Sequence, residues 1–388
     1  MAYFRKRRDK WSYTVNLGID PITKKRKQIT KSGFPSKTAA RDAAKELEFK
    51  ISRGEFVQDS NMTFQTLADK WLESYAIQAK VSSVRARRKE SNVLLKRWKN
   101  TQIKNINKAV YREYLNELSK GYSMNYMDGI QSTGRMIFKF AVESDWLQQN
   151  PTENYSLPKQ QSTIEDVETE NLRKKFLEKN ELAEFISLAR TEGLSNDYML
   201  FSLLAYSGIR IGESLALKWS DVDFNRGSIR ISKTLYNPTN NKMKYTLLTP
   251  KTKGSIRTIK MDDQVMKLFK KHLLKQNERK IQNRHHYMDE NFVFTSPEGY
   301  PLVQKLPAIR LQRLLKKLPH IHKNITLHSF RHTHTSLLIE AGVGLKEIQQ
   351  RLGHTDVQTT MNIYAHMTDN MEEKASHQFS KLMEDLQL

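Results

Sequence analysis

The chain has 388 residues, carries a formal net charge of +23 and contains no cysteine. Its length allows two or three domains, and the positive charge indicates a nucleic acid or an anionic membrane surface as its partner. The composition excludes disulfides, thiolate metal sites and cysteine nucleophiles, and it suits a reducing cytoplasm. The sequence has no GxxxxGK[ST] loop and no apolar run near the roughly 18 residues that a membrane-spanning helix needs, so we expect neither a nucleotide-driven motor nor a membrane protein.

The first 60 residues are densely basic, with 15 Lys or Arg and 7 Asp or Glu. Apolar and polar residues alternate in residues 11–17, which predicts a strand, and Tyr3–Arg7 and Lys24–Lys31 predict two neighbours. A helix is predicted at Lys37–Ser52, with Ser36 as its N-cap. Such a sheet, braced by one helix, could lay its polar face in a DNA groove, and the alternative is a basic but purely structural module. The candidate DNA contacts on that face are Arg5, Arg7, Lys10, Ser12, Thr14, Asn16, Arg26 and Gln28.

The periodicity of residues 63–150 predicts four amphipathic helices, the first of them capped by Thr63. The other three are predicted at Ser82–Lys99, Asn107–Ser119 and Tyr126–Asp145. The second helix is basic, and its charged face is either solvated or in contact with phosphates. Its candidate DNA contacts are Arg85, Arg87, Arg88 and Lys96. The polar segments Gly54–Met62 and Ser156–Asn171 are expected to be linkers.

The C-terminal part, from about Glu170, is predicted to be mainly helical with a few short strands. The predicted helices are Glu181–Arg190, Asn196–Ser207, Asp263–Lys280 and Val303–Lys317, and the predicted strands are Ser228–Leu235, Met243–Thr249, Ile256–Met261 and Phe292–Thr295. Arg210 follows a helix break, with Glu213 one turn later, and a surface ion pair is the plain interpretation of this arginine. Lys251 and Lys253 lie in a loop between two of the strands, where either could reach bound DNA or make a plain backbone contact.

Residues 324–353 predict two short helices that carry polar side chains at their ends. His328 and Arg331 are three residues apart, so they project from one face of the first helix, which has an apolar stripe of Leu337, Leu338 and Ala341. The spacing of His328 and His332 also occurs in helical zinc sites, but the sequence lacks an H-E-x-x-H motif. Glycines at positions 342 and 344 separate this helix from the next, which is predicted at Leu345–Leu352.

The end of the second helix brings further reactive groups into the sequence. Gly353 ends this helix, His354 follows at once, and Tyr364 comes ten residues later. Arginine matches phosphate oxygens, imidazole donates or takes protons, and a tyrosine hydroxyl can act as a nucleophile. Together these residues suit the cleavage of a phosphodiester.

The ordered motifs H-x-x-R, L-G-H and Y, at His328–Arg331, Leu352–His354 and Tyr364, resemble the catalytic core of tyrosine recombinases, specifically the integrases of phages and conjugative elements. The resemblance implies six catalytic residues: Arg210, Lys251, His328, Arg331, His354 and Tyr364. It also places a carboxylate three residues after the first arginine, so Glu213 is expected to hold the helix or orient an arginine without taking part in the chemistry. It also implies a multidomain α+β fold with three domains. These are a three-stranded sheet plus helix that binds arm-type DNA at residues 1–56, a four-helix core-binding domain at 62–155, and a mainly α catalytic domain with a small antiparallel sheet at 170–388.

The resemblance further implies cleavage and rejoining of DNA through a 3′-phosphotyrosyl intermediate, with no metal, cofactor or ATP. Tyr364 would attack the phosphodiester, the two arginines would bind its non-bridging oxygens, and Lys251 would protonate the leaving 5′-oxygen. His328 would help to take the tyrosine proton, and His354 would donate a hydrogen bond to the phosphate. The alternatives are a type IB topoisomerase-like enzyme that only nicks and reseals, and a catalytically inert DNA-binding architectural protein.

The partners implied by the resemblance are duplex DNA, at core and arm attachment sites, and further copies of the chain in a homotetramer on that DNA. Members of the family commonly use an excisionase and a host DNA-bending protein as well. The amphipathic segment Asn370–Leu388 is expected to dock on a neighbouring protomer, with docking on its own domain as the alternative. The expected role is integration and excision of a prophage or other mobile element in the bacterial cytoplasm.

Overall fold

A computed structural model describes residues 2–19, 26–52, 61–158, 176–250, 253–353 and 379–380 of the chain. The chain divides into two compact units, residues 1–161 and 162–388. Within the ranges described, no helix has both the length and the apolar character needed to cross a membrane.

The N-terminal segment forms a three-stranded antiparallel sheet with one helix against it. Strands β1 (Tyr3–Arg7), β2 (Lys10–Ile19) and β3 (Arg26–Phe34) pair in that order, and helix α1 spans Lys37–Ser52. The Ser36 hydroxyl accepts a hydrogen bond from the backbone N–H of Ala39 and so caps the helix. The core between sheet and helix consists of Tyr13, Val15, Ala40, Ala44 and Leu47. The sheet and the helix are therefore those that the sequence predicted.

Four helices with an aromatic core follow in residues 61–158. They are α2 (Phe64–Gln78), α3 (Val81–Trp98), α4 (Lys108–Leu118) and α5 (Met124–Glu143). Thr63 and Asn107 cap the first and third of them, because their side-chain oxygens accept hydrogen bonds from backbone N–H groups. Trp98 is central, since its ring lies 5.7 Å from Phe64 and 5.6 Å from Tyr111, measured between centroids. The first helix begins directly after its predicted cap, and the other three agree with their predicted bounds to within two residues at each end.

The C-terminal unit is mainly helical. Its helices are α6 (Lys179–Glu192), α7 (Asp197–Ser207), α8 (Ile211–Leu215), α9 (Asp263–Gln282), α10 (Lys305–Leu315), α11 (Ser329–Glu340) and α12 (Leu345–Leu352). Helix α7 is buried along most of its length and packs against α6, α8, α9 and α11. Phe201 of α7 lies 5.3 Å from Phe185 and 5.6 Å from Phe330, between ring centroids. This aromatic contact fixes α11 to the centre of the unit.

The strands of the C-terminal unit differ in part from the prediction. Strands β4 (Val222–Asp223), β5 (Ser228–Ile231) and β8 (Arg257–Lys260) form one antiparallel sheet, and β6 (Thr234–Tyr236) pairs with β7 (Thr246–Leu248) in another. The predicted strand Ser228–Leu235 is thus divided between two sheets. The prediction of a strand at Phe292–Thr295 was wrong, because this segment makes only isolated bridges, from Phe292 and Thr295. Its apolar side chains are buried by packing, without a continuous ladder of hydrogen bonds.

Candidate active site

Arg210 lies at the start of α8, directly after the break that ends α7. Its Nη1 donates to Oε1 of Glu213 at 2.9 Å, and its backbone N–H donates to Oε2 of the same carboxylate at 3.1 Å. The Arg210 side chain is 42% exposed, whereas that of Glu213 is 4% exposed. A buried carboxylate therefore orients an arginine that reaches solvent, which is the role expected for Glu213.

Arg331 is buried near the start of α11, with 2% of its surface exposed. Its Nη1 donates to the carbonyl oxygen of Gly208 and its Nη2 to that of Leu352, both at 2.8 Å. Burial and the positive charge of Arg210 lower the pKa of Arg331 from its usual value, and the carboxylate of Glu213 opposes them. An anion bound beside these two arginines would relieve their mutual repulsion.

His328 lies immediately before α11, and its ring meets the ring of His332 edge-on, with 4.8 Å between centroids. Partial burial of the ring and the charges of Arg331 and Arg210 lower the pKa of His328. The imidazole is therefore neutral near pH 7, which leaves a ring nitrogen able to take a proton. Among the described residues, no group of three or more His, Asp or Glu side chains could hold a metal ion.

Three of the six predicted catalytic residues are described, and they lie together. Gly208, whose carbonyl accepts from Arg331, is two residues before Arg210, and the charges of both arginines act on His328. Lys251, His354 and Tyr364 lie outside the described residues, as do most of the predicted C-terminal helix and the central parts of both predicted linkers. Lys253, the competing lysine, begins a short 3-10 turn at Lys253–Ser255.

Two further arginines, which sequence reasoning missed, support this site. Arg257 donates through Nη2 to Oε2 of Glu213 at 3.0 Å. Arg351 donates through Nε to Nε2 of His334 at 3.0 Å, so the other ring nitrogen of His334 donates to the carbonyl of Ala205. Arg257 occupies an inward position of β8, two residues before the buried Ile259. A charged residue at a strand position where the alternation calls for an apolar one was the signal that could have revealed Arg257.

The predicted DNA-contact residues of the N-terminal sheet share one face. The register pairs Arg7 with Lys10 and Asn16 with Gln28, and side chains of directly paired residues lie on the same side of a sheet. Tyr13 and Val15 occupy the opposite face, against α1. The exposed candidates are Arg5, Arg7, Lys10, Asn16, Arg26 and Gln28, and Thr14 is half-buried with its hydroxyl bonded to that of Thr30.

Ser12 is the least exposed of the DNA contacts predicted on this face. It is only 8% exposed, and its hydroxyl donates to the carbonyl of Arg5 at 3.0 Å. The serine therefore links two neighbouring strands of the sheet, and its contact with DNA stays a prediction.

The predicted DNA contacts on helix α3 differ in how exposed their side chains are. Arg88 and Lys96 are exposed and Arg85 is half-buried on the outer side of the helix. Arg87 is bonded within the bundle, because its Nη1 donates to Glu90 at 2.8 Å and, on the neighbouring helix α5, to Thr133 at 3.0 Å. Its guanidinium neutralises a largely buried carboxylate inside the helical bundle, and its contact with DNA stays a prediction.

Comparison with known protein families decides the classification. The profile described as "Phage integrase family" matches residues 175–371, which is just over half of the chain, and an arm DNA-binding domain profile matches residues 1–51. The chain belongs to the phage integrase family. It is a tyrosine-type site-specific recombinase that integrates and excises mobile DNA, as the motifs predicted.

Integrase relatives match over most of their own length. The probable integrase of prophage ps2 from Lactococcus lactis subsp. lactis is 30% identical, with 91% of this chain and 92% of the relative covered. The integrase of Staphylococcus phage L54a is also 30% identical, with 83% and 94% covered. The ICEBs1 integrase of Bacillus subtilis is 27% identical, with 95% and 96% covered.

Solved structures of other integrases share the fold. The Tn1549 transposon integrase (residues 82–397, in complex with a circular intermediate DNA) gives a TM-score of 0.65 at 24% identity, covering 82% of this chain and 99% of that one. The lambda integrase tetramer bound to a Holliday junction gives 0.55 at 15% identity, covering 95% of each chain. The predicted multidomain α+β fold is confirmed for this integrase.

Proposed function

We propose that this integrase cleaves one DNA strand at a time through Tyr364, with Arg210 and Arg331 binding the scissile phosphate. The observation that carries the proposal is the link from Arg331 to the carbonyl of Gly208, which brings a buried guanidinium to the segment that presents Arg210. Two arginines at one point offer several N–H donors to the non-bridging oxygens of a phosphodiester. Their repulsion in the absence of an anion favours phosphate binding.

The reaction has two transesterification steps. The Tyr364 oxygen attacks the phosphorus, a 3′-phosphotyrosyl bond forms, and the bond to the 5′-oxygen breaks. A 5′-hydroxyl of the partner strand then attacks the phosphotyrosine, which restores a phosphodiester and releases the tyrosine. The energy of the original bond is kept in the phosphotyrosine, so the exchange needs no ATP. Preorganised donors that stabilise the developing charge each contribute about 10²- to 10³-fold to such rates.

Two proton transfers and one hydrogen bond are assigned to three other side chains. His328, which is neutral near pH 7, helps to take the proton of Tyr364. Lys251 protonates the leaving 5′-oxygen, and His354 donates a hydrogen bond to the phosphate. Lys253 competes with Lys251 for the role of acid, and substrate chemistry can separate them.

A bridging 5′-phosphorothiolate tests the general acid directly, because a thiolate leaves without protonation. Lys251→Ala should lose cleavage of the ordinary phosphodiester and regain it on the sulfur substrate. Lys253→Ala should cleave both substrates at similar rates. Rescue of Lys253→Ala in place of Lys251→Ala would assign the acid to Lys253.

The DNA contacts are divided between two parts of the N-terminal unit. We assign arm-site binding to residues 1–56, through the exposed face that carries Arg5, Arg7 and Lys10, and core-site binding to residues 62–155, through Arg88 and Lys96 of α3. Residues 170–388 form the catalytic domain. Exposed basic side chains on one side of each element support phosphate contact, since phosphates account for most protein–DNA hydrogen bonds.

Assembly and regulation complete the proposal. The integrase acts as a homotetramer on two DNA duplexes, in the bacterial cytoplasm, and the segment Asn370–Leu388 docks on a neighbouring protomer. An excisionase and a host DNA-bending protein set the direction of the reaction. Truncation after Met371 should leave single-site binding intact and weaken the two-duplex complex on native gels, whereas unchanged synapsis would place the segment on its own protomer.

Two assays separate the proposed activity from its alternatives. A covalent protein–DNA adduct on a nicked duplex that carries the attachment core separates an enzyme from an inert architectural protein. Recombinant products from two duplexes separate a recombinase from an enzyme that only nicks and reseals. Relaxation of supercoiled DNA without any exchange would favour the topoisomerase-like alternative.

A further inference from the structure

Arg257 occupies an unusual position at the start of β8. Its side chain is 7% exposed, and all three of its guanidinium nitrogens donate hydrogen bonds. Nε donates to the carbonyl of Arg351 at 2.7 Å, Nη1 to the carbonyl of Ser255 at 3.0 Å, and Nη2 to Oε2 of Glu213 at 3.0 Å. A buried guanidinium with three acceptors on three separate segments is held in a single orientation.

Each of these acceptors belongs to a segment that leads to a proposed catalytic residue. Glu213 orients Arg210. Ser255 ends the short turn that follows the loop of Lys251. The carbonyl of Arg351 lies in the last turn of α12, three residues before His354. Arg257 thus bonds the carboxylate that orients Arg210 and two described segments that adjoin Lys251 and His354 in the sequence.

Charge balance at Glu213 depends on Arg257 as well. Burial alone would raise the pKa of the Glu213 carboxyl, but the charge and hydrogen bond of Arg257, followed by the donors of Arg210, hold it below its usual value. The positive charge of Arg331 also acts on this carboxylate. His328 is a second titratable group near this carboxylate, and burial, Arg331 and Arg210 lower its pKa.

We propose that Arg257 is a positioning residue of this recombinase, which holds in one arrangement the Arg210–Glu213 pair, the turn at Lys253–Ser255 that follows Lys251 in the sequence, and the end of α12 that precedes His354 in the sequence. The inference rests on the proposed function, because it assigns those three side chains to the reaction. Arg257 itself is not expected to contact the scissile phosphate. It acts through the segments whose side chains bind the phosphate.

An arginine suits this role better than a lysine. A guanidinium presents donors in a fixed planar fork, so one side chain can satisfy a carboxylate and two carbonyls at once, whereas an ammonium is a compact point charge. Arg257→Lys should therefore keep a positive charge beside Glu213 and lose at least one of the bonds to Arg351 and Ser255. Arg257→Gln loses the charge as well.

The experiment measures covalent adduct formation by the full-length protein on the nicked attachment-core duplex, as single-turnover rates across pH, together with DNA binding and thermal melting. Arg310→Gln is a matched control, because Arg310 bonds the buried Asp197 at 2.9 Å and the carbonyl of Ser195 on the far end of α7 from Arg210. Both glutamine variants remove a partly or fully buried arginine–carboxylate pair. Only Arg257→Gln should alter the reaction.

Arg257→Gln should slow adduct formation by about 10- to 100-fold, the range found when an outer partner of a catalytic ligand is removed. Its core-site binding should be little changed. The acid limb of its rate profile should move to higher pH, because Glu213 loses the charge that keeps it ionised. Arg257→Lys should keep the acid limb in place and recover part of the rate, and Arg310→Gln should lower only the melting temperature.

The double variant Glu213→Gln with Arg257→Gln identifies the titrating group. Without a carboxyl at position 213, the shift of the acid limb should disappear, and a shift that persists would assign it to His328 and overturn the inference. Equal rates and equal acid limbs for Arg257→Gln and Arg310→Gln would overturn it too, while the proposed function would stand. The proposed function fails separately, if the wild-type protein forms no adduct.

Discussion

The Nη2 of Arg331 donates to the carbonyl of Leu352 at 2.8 Å, and so ties the start of α11 to the end of α12. The same guanidinium donates through Nη1 to Gly208, at the end of α7. One buried arginine therefore fixes two helix ends, and each of these ends leads into a segment with a proposed catalytic residue, Arg210 after α7 and His354 after α12. Stability and catalysis are coupled at this point.

Gly208 provides the first prediction. It ends α7 with φ of +63°, and a Cβ there would lie 2.7 Å from side-chain atoms of both His334 and Leu352. Gly208→Ala should lower the melting temperature and the adduct rate together, because it displaces the carbonyl that accepts from Arg331. The control is Gly227→Ala, where φ is +60° and nothing lies within 4 Å of the added Cβ.

The control variant should suffer only the cost of a left-handed backbone, about 1–2 kcal/mol, and should keep its adduct rate once folded. Comparable losses of activity in both variants would show that backbone strain alone, and not the site around Arg331, is responsible.

His334 provides a prediction about pH. Burial and the charge of Arg351 lower the pKa of His334 to about 4. Between the unfolded value near 6.5 and this folded value, the unfolded chain binds a proton that the folded chain does not, so stability is lost as pH falls through that range. His334→Gln should be less stable than wild type at pH 7.5 and lose less stability on going to pH 5.

Urea unfolding midpoints at the two pH values measure this difference. Burial also lowers the pKa of His272. This residue therefore also reduces stability as pH falls, and it accounts for the pH dependence that remains in the variant. An unchanged dependence in His334→Gln would mean that folding does not lower the pKa of His334.

Helix α3 allows a comparison of adjacent arginines. Arg87→Ala leaves the buried Glu90 without its partner and should cost about 1–3 kcal/mol of unfolding free energy, with core-site affinity little changed in the folded protein. Arg88→Ala should weaken core-site binding and leave stability within about 0.5 kcal/mol. Chemical unfolding and gel-shift titrations on the two variants measure the two quantities, and the opposite pattern would place Arg87 on the DNA.

The sequence predicted most helices of this integrase because their periodicity and caps are local. Thr63, Asn107 and Gly353 mark helix ends through hydrogen bonds or backbone angles that depend on few neighbours. The strands near residue 230 were harder, since one β-rich segment is shared by two sheets and tertiary pairing decides where it divides.

The supports of the site were not predictable for a related reason. The apolar stripe predicted for α11 included Leu337, and this residue is only half-buried. The polar Thr333 is fully buried instead, and its hydroxyl accepts a hydrogen bond from the backbone N–H of Leu177. Arg257 likewise gains its acceptors from segments 44 and 94 residues away in sequence. A polar side chain is buried when its partners arrive from elsewhere in the fold, and no local pattern records them.

The N-terminal sheet gives a prediction about salt. If this face neutralises about five phosphates, log K for arm-site DNA should fall against log salt with a slope of about −4.5. Arg7→Ala, on the exposed face, should reduce that slope by about 1. Lys45→Ala removes the same charge from the exposed side of α1, which lies across the sheet, and should leave the slope unchanged. Equal effects of the two variants would mean that only the overall charge of the segment matters.

Adduct formation by Tyr364→Phe on the nicked attachment-core duplex identifies the nucleophile of this integrase. The substitution keeps the aromatic ring and removes only the attacking oxygen, so DNA binding should stay near the wild-type level while the adduct disappears. Tyr245 is a poor substitute, because burial and the hydrogen bond to Glu290 raise the pKa of its hydroxyl. An adduct that survives in Tyr364→Phe would contradict the account and show that another tyrosine, such as Tyr245 or Tyr300, is the nucleophile.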